Sequence, residues 1–377
     1  MRIYEEVRAL AARGVASEIV TYPVGNDPVG LTVRRAPRLP GVGIRAVGPG
    51  YTRPIIDATL LATALSTARR FKPDIIHAHL HEGIAIGAVL RRRLRIPLVA
   101  DLQGSLVGEL VDHGFLSHGS MSASIVGRVE RWLVRQPDAI LASSSSALRL
   151  LESQGADPRR LVWFPDGADL SEFRPLPIDR ALEASFTLSG KRTVVFLGLL
   201  TPYQGVDLLI DAAPDVARAV PSAHFLLMGY PDEDRYRAIV EARGLQSFMT
   251  VPGRIPYTDA ARYLSLGQVA VSPKLSATEA NGKLLNYMAC GLATVASDTP
   301  VNRELLGDAG VYAPVNDARA LAEAISGLLL DDDRRARLGR MLRQRAEAEF
   351  SWPALADRLI GIYNRVMKPG LLRTPVS

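Results

Sequence analysis

The sequence of 377 residues contains one cysteine, Cys290, so no disulfide can form within the chain and a reducing compartment is expected. It contains no run of about 18 apolar residues and therefore predicts no transmembrane helix. The first residues mix charged and apolar side chains, which is untypical of a secretory signal. Aromatic residues make up only 6%, without an aromatic-rich platform or a zinc motif, so nucleic-acid binding is disfavoured.

The remaining composition is typical of a folded, soluble protein, with 47% hydrophobic and 22% charged residues. On a prior of roughly 150 residues per domain, the length predicts two domains. The net charge of +6 is unevenly distributed. Residues 1–100 hold fifteen Lys and Arg against seven Asp and Glu, an excess of +8, so the other residues sum to −2.

The densest basic run comprises residues 91–93 and Arg95, at the end of an apolar helical segment before Pro97. A solvated helix end is the simplest interpretation of this run. Attraction to an anionic membrane surface is the main alternative, and nucleic acid is a weaker third.

Short apolar runs alternate with amphipathic segments along the chain, which predicts a parallel α/β fold. In the first half we expect buried strands at residues 74–77, 98–101 and 139–142. A second series begins near Lys191, with strands at 193–197, 224–228, 249–251 and 269–272. The predicted fold class is α/β, with two Rossmann-like domains that face each other across a ligand-binding cleft.

A segment rich in proline and glycine, residues 164–177, separates the two series and predicts a linker. We assign the first domain and its linker to residues 1–187 and the second domain to residues 188–350. We expect residues 351–377 to form a helix that returns to the first domain, followed by a tail.

The first predicted element is an amphipathic helix at residues 2–13, followed by a strand at 18–22. In a doubly wound domain the first strand is usually central. The sequence therefore predicts an N-terminal sheet truncated at its first strand. We expect an upstream extension of the reading frame to supply that strand.

The most informative stretch is the polar loop between a strand that ends at Ser272 and a helix that starts near Gly282. The backbone N–H groups of residues 281–283 lie at the helix N-terminus, which attracts anions. Only five residues of the chain are lysines, and Lys274 and Lys283 flank this loop. This arrangement is suited to a diphosphate, whereas a loop that the lysines merely solvate is the alternative.

Several motifs, in their order and spacing, resemble the retaining glycosyltransferases of family 4, which have the two-domain GT-B fold. The resemblance spans nearly the whole chain and rests on DIIHAH at 74–79, FPDGAD at 164–169, FLGLL at 196–200, QGVDLLI at 204–210, MACG at 288–291 and FSW at 350–352. It implies transfer of a sugar, with retained anomeric configuration, from a nucleotide-diphosphate donor to an acceptor hydroxyl.

The resemblance also implies the partners and the location. The donor is a UDP- or GDP-sugar, and no cofactor or bound metal is expected, because the family uses no metal-binding Asp-x-Asp motif. The acceptor is a glycan, a lipid-linked hydroxyl or a small molecule, and no nucleic acid is expected. We expect a cytoplasmic protein, with peripheral contact to the inner membrane face left open. In the family, a glycine-rich turn follows the first strand, and we expect the sequence as given to lack both.

Donor-binding residues are expected mainly in the second domain. They are Gly198, Gln204, Gly205, Arg254, Lys274, Thr278, Asn281, Gly282, Lys283 and Asn286. The candidate catalytic residues are Glu279, His79, His81 and Gln103. This chain departs from the family at two pairs of positions. The family's Glu-x7-Glu pair falls on Thr278 and Asn286, and its diphosphate-binding Arg and Lys fall on Leu199 and Gln204, so Lys274 and Lys283 are expected to replace that charge.

His77, His79 and His81 are two residues apart, so a strand would place them on one face. Three interpretations remain open: a structural stack, side chains that face the acceptor, and a zinc site, which we disfavour because no further ligand is evident. Two other functions also stay open. The chain could be a nucleotide-sugar-binding protein with weak or no turnover, or a nucleotide-sugar 2-epimerase.

Overall fold

The computed structural model describes residues 2–25, 27, 30–39, 53–102, 106–107, 120–275 and 281–367. Contacts within the chain divide it into two compact units. The first comprises Met1–Pro165 and Leu355–Ser377, and the second comprises Asp166–Ala354. Residues 166–187 therefore pack with the second unit, whereas the sequence prediction grouped them with the first.

The described residues of the first unit form two separate parallel sheets. The larger has four strands in the spatial order Ile76–His79, Leu98–Leu102, Ala139–Ala142 and Leu161–Trp163. Its two middle strands are fully buried, as expected for short apolar runs covered by helices on both faces. The smaller sheet pairs Ile19–Thr21 with Val33–Arg35.

Each of the two sheets contributes a residue to a shared apolar cluster. Val20 and Ile76 pack into one apolar cluster beneath the helices Arg53–Phe71 and Leu80–Leu94. Among the described residues no strand pairs with the free edge of Ile19–Thr21 or with that of Ile76–His79. Within the described residues the N-terminal sheet is therefore split between Ile19–Thr21 and Ile76–His79, whereas the predicted upstream strand stays a prediction.

The second unit has one parallel sheet of six strands. Their spatial order is Val311–Ala313, Ala293–Ser297, Val269–Ser272, Arg192–Leu199, Ala223–Tyr230 and Met249–Gly253. The buried faces of these strands are almost wholly apolar, as the sequence predicts. The sheet brings the end of Val269–Ser272 next to the end of Arg192–Leu199.

Helices connect and cover the strands of each unit. The described helices of the first unit are Arg2–Ala11, Arg53–Phe71, Leu80–Leu94, Met121–Leu133 and Ser145–Ser153. Those of the second unit are Arg180–Ser185, Val206–Ala219, Glu233–Ala242, Ala260–Leu264, Gly282–Ala289, Pro300–Leu306, Ala318–Leu330 and Asp332–Glu349. The helix Trp352–Met367 begins in the second unit and continues in the first. None of the described helices is both long and apolar enough to span a bilayer.

The helix Gly282–Ala289 ends next to a glycine with a left-handed backbone. Cys290 follows it, and Gly291 adopts a left-handed conformation with φ of 68°. The Cys290 thiol is buried, and burial raises its pKa to about 12. This thiol therefore packs as a small apolar side chain and is not a nucleophile.

Candidate functional site

The carboxyl ends of the six parallel strands meet at one edge of the second unit's sheet, where α/β folds bind ligands. The strand Val269–Ser272 ends at this edge, and the helix Gly282–Ala289 starts there. Two of the predicted site residues of the intervening loop, Thr278 and Glu279, lie outside the described residues.

Lys283 lies in the first turn of this helix and points back over the sheet. Its amine donates a hydrogen bond to Gln204 Oε1 at 2.5 Å and lies 4.3 Å from the centre of the Phe196 ring. Burial and the nearby charge of Lys274 lower the pKa of Lys283 to about 7. Gly198 makes room for this side chain, because a Cβ there would lie 2.8 Å from Lys283 Cε.

Gln204 ends a short turn that glycine makes possible. Gly205 follows it with φ of 76°, and a Cβ on Gly205 would lie 2.0 Å from the carbonyl oxygen of Pro273. Only glycine fits this contact, which holds the turn against the start of the loop. Lys274, the next residue of the loop, is buried and lies 5.9 Å from the centre of the Tyr203 ring.

Asn281 precedes the helix and is used internally. Its side-chain amide donates to Ser272 Oγ at 3.0 Å and to Asn302 Oδ1 at 2.8 Å. Asn302 in turn donates to the carbonyl of Ser297 at 2.8 Å. The side chain of Asn281 thus fixes the start of the helix. Its backbone N–H is the group that this residue can offer to a ligand.

The helix N-terminus is open at Gly282 as far as the described residues show. Gly282 is exposed, and no described atom lies within 4 Å of the position that a Cβ on it would occupy. The first N–H groups of a helix have no acceptor within the helix, and they carry partial positive charge. Together with Lys283 and Lys274, they form a surface suited to a small, multiply charged anion.

The remaining predicted donor residues differ in position. Asn286 is half-buried one turn further along the helix Gly282–Ala289. Arg254 is exposed just after the strand Met249–Gly253, with its guanidinium 4.8 Å from the centre of the Tyr230 ring. The sheet order places Arg254 at the same edge as Lys283 but at the far side of two intervening strands.

A second polar cluster lies at the carboxyl end of the first unit's larger sheet. The rings of His77 and His79 stack with centres 4.5 Å apart, and His79 lies between Asp101 at 3.5 Å and Glu6 at 3.7 Å. Arg2 Nε contacts both carboxylates, Asp101 at 2.7 Å and Glu6 at 3.0 Å. Burial opposes ionisation of Asp101, but its hydrogen bond to His79 and the charge of Arg2 together lower its pKa to about 2.

His77 differs from His79 in its surroundings. Its Nδ1 lies 2.7 Å from the Tyr363 hydroxyl, and burial, followed by repulsion from His79, lowers its pKa well below the usual range. His77 is therefore neutral at physiological pH. The ligand atoms of Glu6, His77, His79 and Asp101 lie within 4.8 Å of one another, and the Arg2 guanidinium supplies positive charge at this place.

The prediction that His81 shares a strand face with His77 and His79 is wrong. The strand ends at His79, Leu80 has φ of 62°, and His81 belongs to the helix Leu80–Leu94. The imidazole of His81 is buried 3.4 Å from Glu130. The fourth candidate catalytic residue, Gln103, lies outside the described residues.

We call Lys274, Lys283 and the N–H groups of residues 281–283 the lysine site. Two residues that support it were not predicted from the sequence. Phe196 lies in a buried strand and looks like an ordinary core residue, so nothing local marks it as a contact of an amine. Asn302 lies in the first turn of Pro300–Leu306, just after a buried strand, and that position alone offers a weak signal.

Two family models match the chain. The model of the glycosyl transferase 4-like domain matches residues 1–167, and that of the glycosyl transferases group 1 matches residues 191–331. The second match contains the helix Gly282–Ala289 and the turn at Gln204. The first contains Arg2, Glu6, His77, His79 and Asp101, which we call the histidine cluster.

Curated proteins give the same result. A phosphatidyl-myo-inositol mannosyltransferase of Mycolicibacterium smegmatis is 28% identical over 79% of this chain and 72% of its own length. A D-inositol 3-phosphate glycosyltransferase of Kineococcus radiotolerans is 26% identical over 98% of this chain and 91% of its own.

Solved structures share the fold. Anabaena HepE in complex with UDP has a TM-score of 0.71 at 18% identity, covering 89% of this chain and 86% of HepE. A glycosyltransferase of Rickettsia africae has a TM-score of 0.76 at 14% identity, covering 97% and 94% of the two chains. The chain therefore belongs to the group 1, family 4-like glycosyltransferases of the GT-B fold.

Proposed function

We propose that this glycosyltransferase moves a sugar from a UDP- or GDP-sugar to an acceptor hydroxyl, with retention of the anomeric configuration. The observation that carries the proposal is Lys283, whose buried amine lies at a helix N-terminus beside a second lysine. Two adjacent ammonium groups repel each other, and a diphosphate between them would relieve that repulsion. Such an anion is the leaving group of a nucleotide-sugar.

The chemistry follows from the charges of the transition state. Negative charge grows on the departing diphosphate, and Lys283, Lys274 and the N–H groups of residues 281–283 would stabilise it. Positive charge grows on the sugar ring, whose hydroxyls Glu279 would orient. The acceptor hydroxyl attacks from the face that the diphosphate leaves, and a diphosphate oxygen accepts its proton. Preorganised cations of the chain thus replace the charge that a metal ion supplies in other transferases.

UDP is the first nucleotide to test, because HepE, a structural neighbour, has been solved with UDP and with UDP-glucose. GDP is the second, because the proposed contacts are made to the diphosphate, which UDP and GDP share. Inositol phosphates and phosphatidylinositol are the first acceptors to test, because the names of both relatives contain them. His79 and Gln103 remain our candidates for the acceptor side.

Attraction to an anionic membrane is also part of the proposal, although several basic residues of the first unit are paired. Arg91 forms an ion pair with Asp138 at 2.5 Å, and Arg70 pairs with Glu18. Arg93 and Arg95 are exposed and form no ion pair among the described residues, so their charges remain available to such a surface.

Titration calorimetry with UDP and GDP tests the diphosphate site. Lys283→Ala should weaken binding of the preferred nucleotide by roughly 1.5–3 kcal/mol, the range for a hydrogen bond to a charged group. Lys191→Ala is the matched control, because Lys191 precedes the strand Arg192–Leu199 and so lies at its opposite end. Equal nucleotide affinity in the wild type and Lys283→Ala would remove Lys283 from the site.

A further inference from the structure

The helix Met121–Leu133 exposes its large apolar side chains. The exposed fractions are 81% for Met121, 54% for Ile125, 47% for Val129 and 44% for Trp132. Steps of four, four and three residues place these side chains on one face of the helix. We call these four residues the apolar stripe.

The opposite face of the helix is fixed to the first unit. Glu130 is buried, accepts a hydrogen bond from the Leu106 N–H at 2.7 Å and lies 3.4 Å from His81 Nε2. Leu133 packs into the core that contains Ile140. Rotation of the helix to bury the apolar stripe would break these contacts, so its exposure is a fixed property of the fold.

Arginines flank the apolar stripe. Arg128 and Arg131 are exposed on the same helix, and the Arg92 guanidinium lies 5.9 Å from the centre of the Trp132 ring. Within the described part of the chain none of these three arginines forms an ion pair. The one acidic residue of the helix is Glu130, which faces inward. The exposed face is therefore apolar and positively charged.

We propose that the apolar stripe and its flanking arginines dock on an anionic lipid bilayer. A helix with one apolar face and a basic rim lies in the plane of the interface, where apolar side chains enter the boundary between headgroups and acyl chains. The guanidinium groups then lie at the level of the lipid phosphates. Tryptophan is suited to this depth, because its ring is apolar and its N–H remains hydrated.

Charge favours lipid over a second copy of the chain. Two apolar stripes packed against each other would bring their arginines together without a described acidic partner on either helix. An anionic bilayer covers the same apolar side chains and neutralises the arginines at the same time. The apolar stripe deepens the membrane attraction proposed above and does not involve the nucleotide site. Vesicle binding is therefore measured without donor or acceptor, and its failure leaves the proposed sugar transfer standing.

Vesicle co-sedimentation of the full chain tests the surface. Vesicles of phosphatidylcholine alone are compared with vesicles that also contain phosphatidylglycerol. Ile125→Asp should lower the partition coefficient for the mixed vesicles by roughly tenfold, the consequence of losing one buried aliphatic side chain and adding a charge. Ile55→Asp is the matched control, because Ile55 also lies on a helix of the first unit and is equally exposed, at 54%.

Two further readouts separate the apolar and charged contributions. Arg128→Gln with Arg131→Gln should remove most of the preference for anionic vesicles, and salt should do the same in the wild type. The fluorescence of Trp132 should shift to shorter wavelength on vesicle binding, and the shift should be absent in Trp132→Phe. Melting temperatures show that each variant remains folded.

Three results would overturn the proposal. One is equal partitioning of the wild type and Ile125→Asp, and another is equal binding to neutral and anionic vesicles. The third is a self-associated wild type that Ile125→Asp converts to monomers without any vesicle binding, which would assign the apolar stripe to a second copy.

Discussion

At the scale of the residue, Lys283 determines how the candidate site responds to pH. Its ammonium group is buried beside Lys274, which lowers its pKa to about 7. A bound diphosphate adds negative charge next to the amine and therefore raises that pKa. Above pH 7 the free protein holds Lys283 neutral, so binding must then be accompanied by uptake of a proton.

We expect the affinity for UDP to fall as the pH rises from 7.5 to 8.5, by up to about tenfold per pH unit for one proton. Calorimetry in buffers of different ionisation enthalpy should detect uptake of up to one proton at pH 8. Lys283→Arg keeps its charge throughout this range, so its affinity should be independent of pH. A wild-type affinity that is equally flat would contradict the role of the amine.

Gly205 is a second residue on which the site depends, because the turn after Gln204 has no room for a side chain. Gly205→Ala should destabilise the protein by at least about 2 kcal/mol, because the new Cβ meets the Pro273 carbonyl in a left-handed backbone conformation. Gly244→Ala is the control, since Gly244 has φ of 67° but no described atom within 4 Å of that position. Chemical denaturation measures both variants, and equal losses would show that the contact with Pro273 is unimportant.

The sequence singles out the two lysines of the candidate site but not the residues that surround them. Lysines are rare in the chain, so the pair at 274 and 283 stands out without any structure. The contact of Lys283 with Phe196 depends on the sheet order, which local patterns do not reveal. His81 was misplaced because an alternation of two residues continues in the sequence past the point where the strand stops.

At the scale of the element, apolar runs were a good guide where a strand is fully buried. The strand predicted at 139–142 is observed as Ala139–Ala142, and the strand predicted at 269–272 is observed as Val269–Ser272. The strands missed were Val33–Arg35, Leu161–Trp163, Ala293–Ser297 and Val311–Ala313. Three of these have only three residues each, too few to show a period.

The split N-terminal sheet should be visible in hydrogen exchange. The Ile76 N–H donates to Pro97, so Ile76 and Ala78 face the neighbouring strand, and the N–H of His77 faces the free edge. The same alternation places the Val20 N–H at the free edge of the smaller sheet, since Ile19 donates to Thr32. These two free-edge amides should exchange faster than their sequence neighbours.

Exchange followed by NMR resolves single amides and checks this expectation. Ala78 and Ile19 serve as the controls within the same strands, because their N–H groups point toward paired neighbours. Protection of His77 and Val20 equal to that of Ala78 and Ile19 would mean that another strand occupies the space between the sheets.

At the scale of the whole molecule, the chain joins two Rossmann-like units with different polar clusters. The second unit carries the lysine site, and the first carries the histidine cluster and the apolar stripe. The family membership shows a glycosyltransferase, and the lysine site is where we propose that the nucleotide donor binds. A binding protein without turnover and a 2-epimerase share this architecture, so binding measurements alone do not separate them.

The most direct measurement is nucleotide release from UDP- and GDP-sugars, with and without inositol phosphate or phosphatidylinositol, with the sugar products analysed in parallel. We predict that acceptor-dependent release of free nucleotide accompanies a new glycoside of retained anomeric configuration. Lys283→Ala should lower this rate by roughly tenfold or more, as expected for loss of a group that stabilises the leaving phosphate. Nucleotide binding without any glycoside, or an epimerised sugar formed without acceptor, would contradict the account.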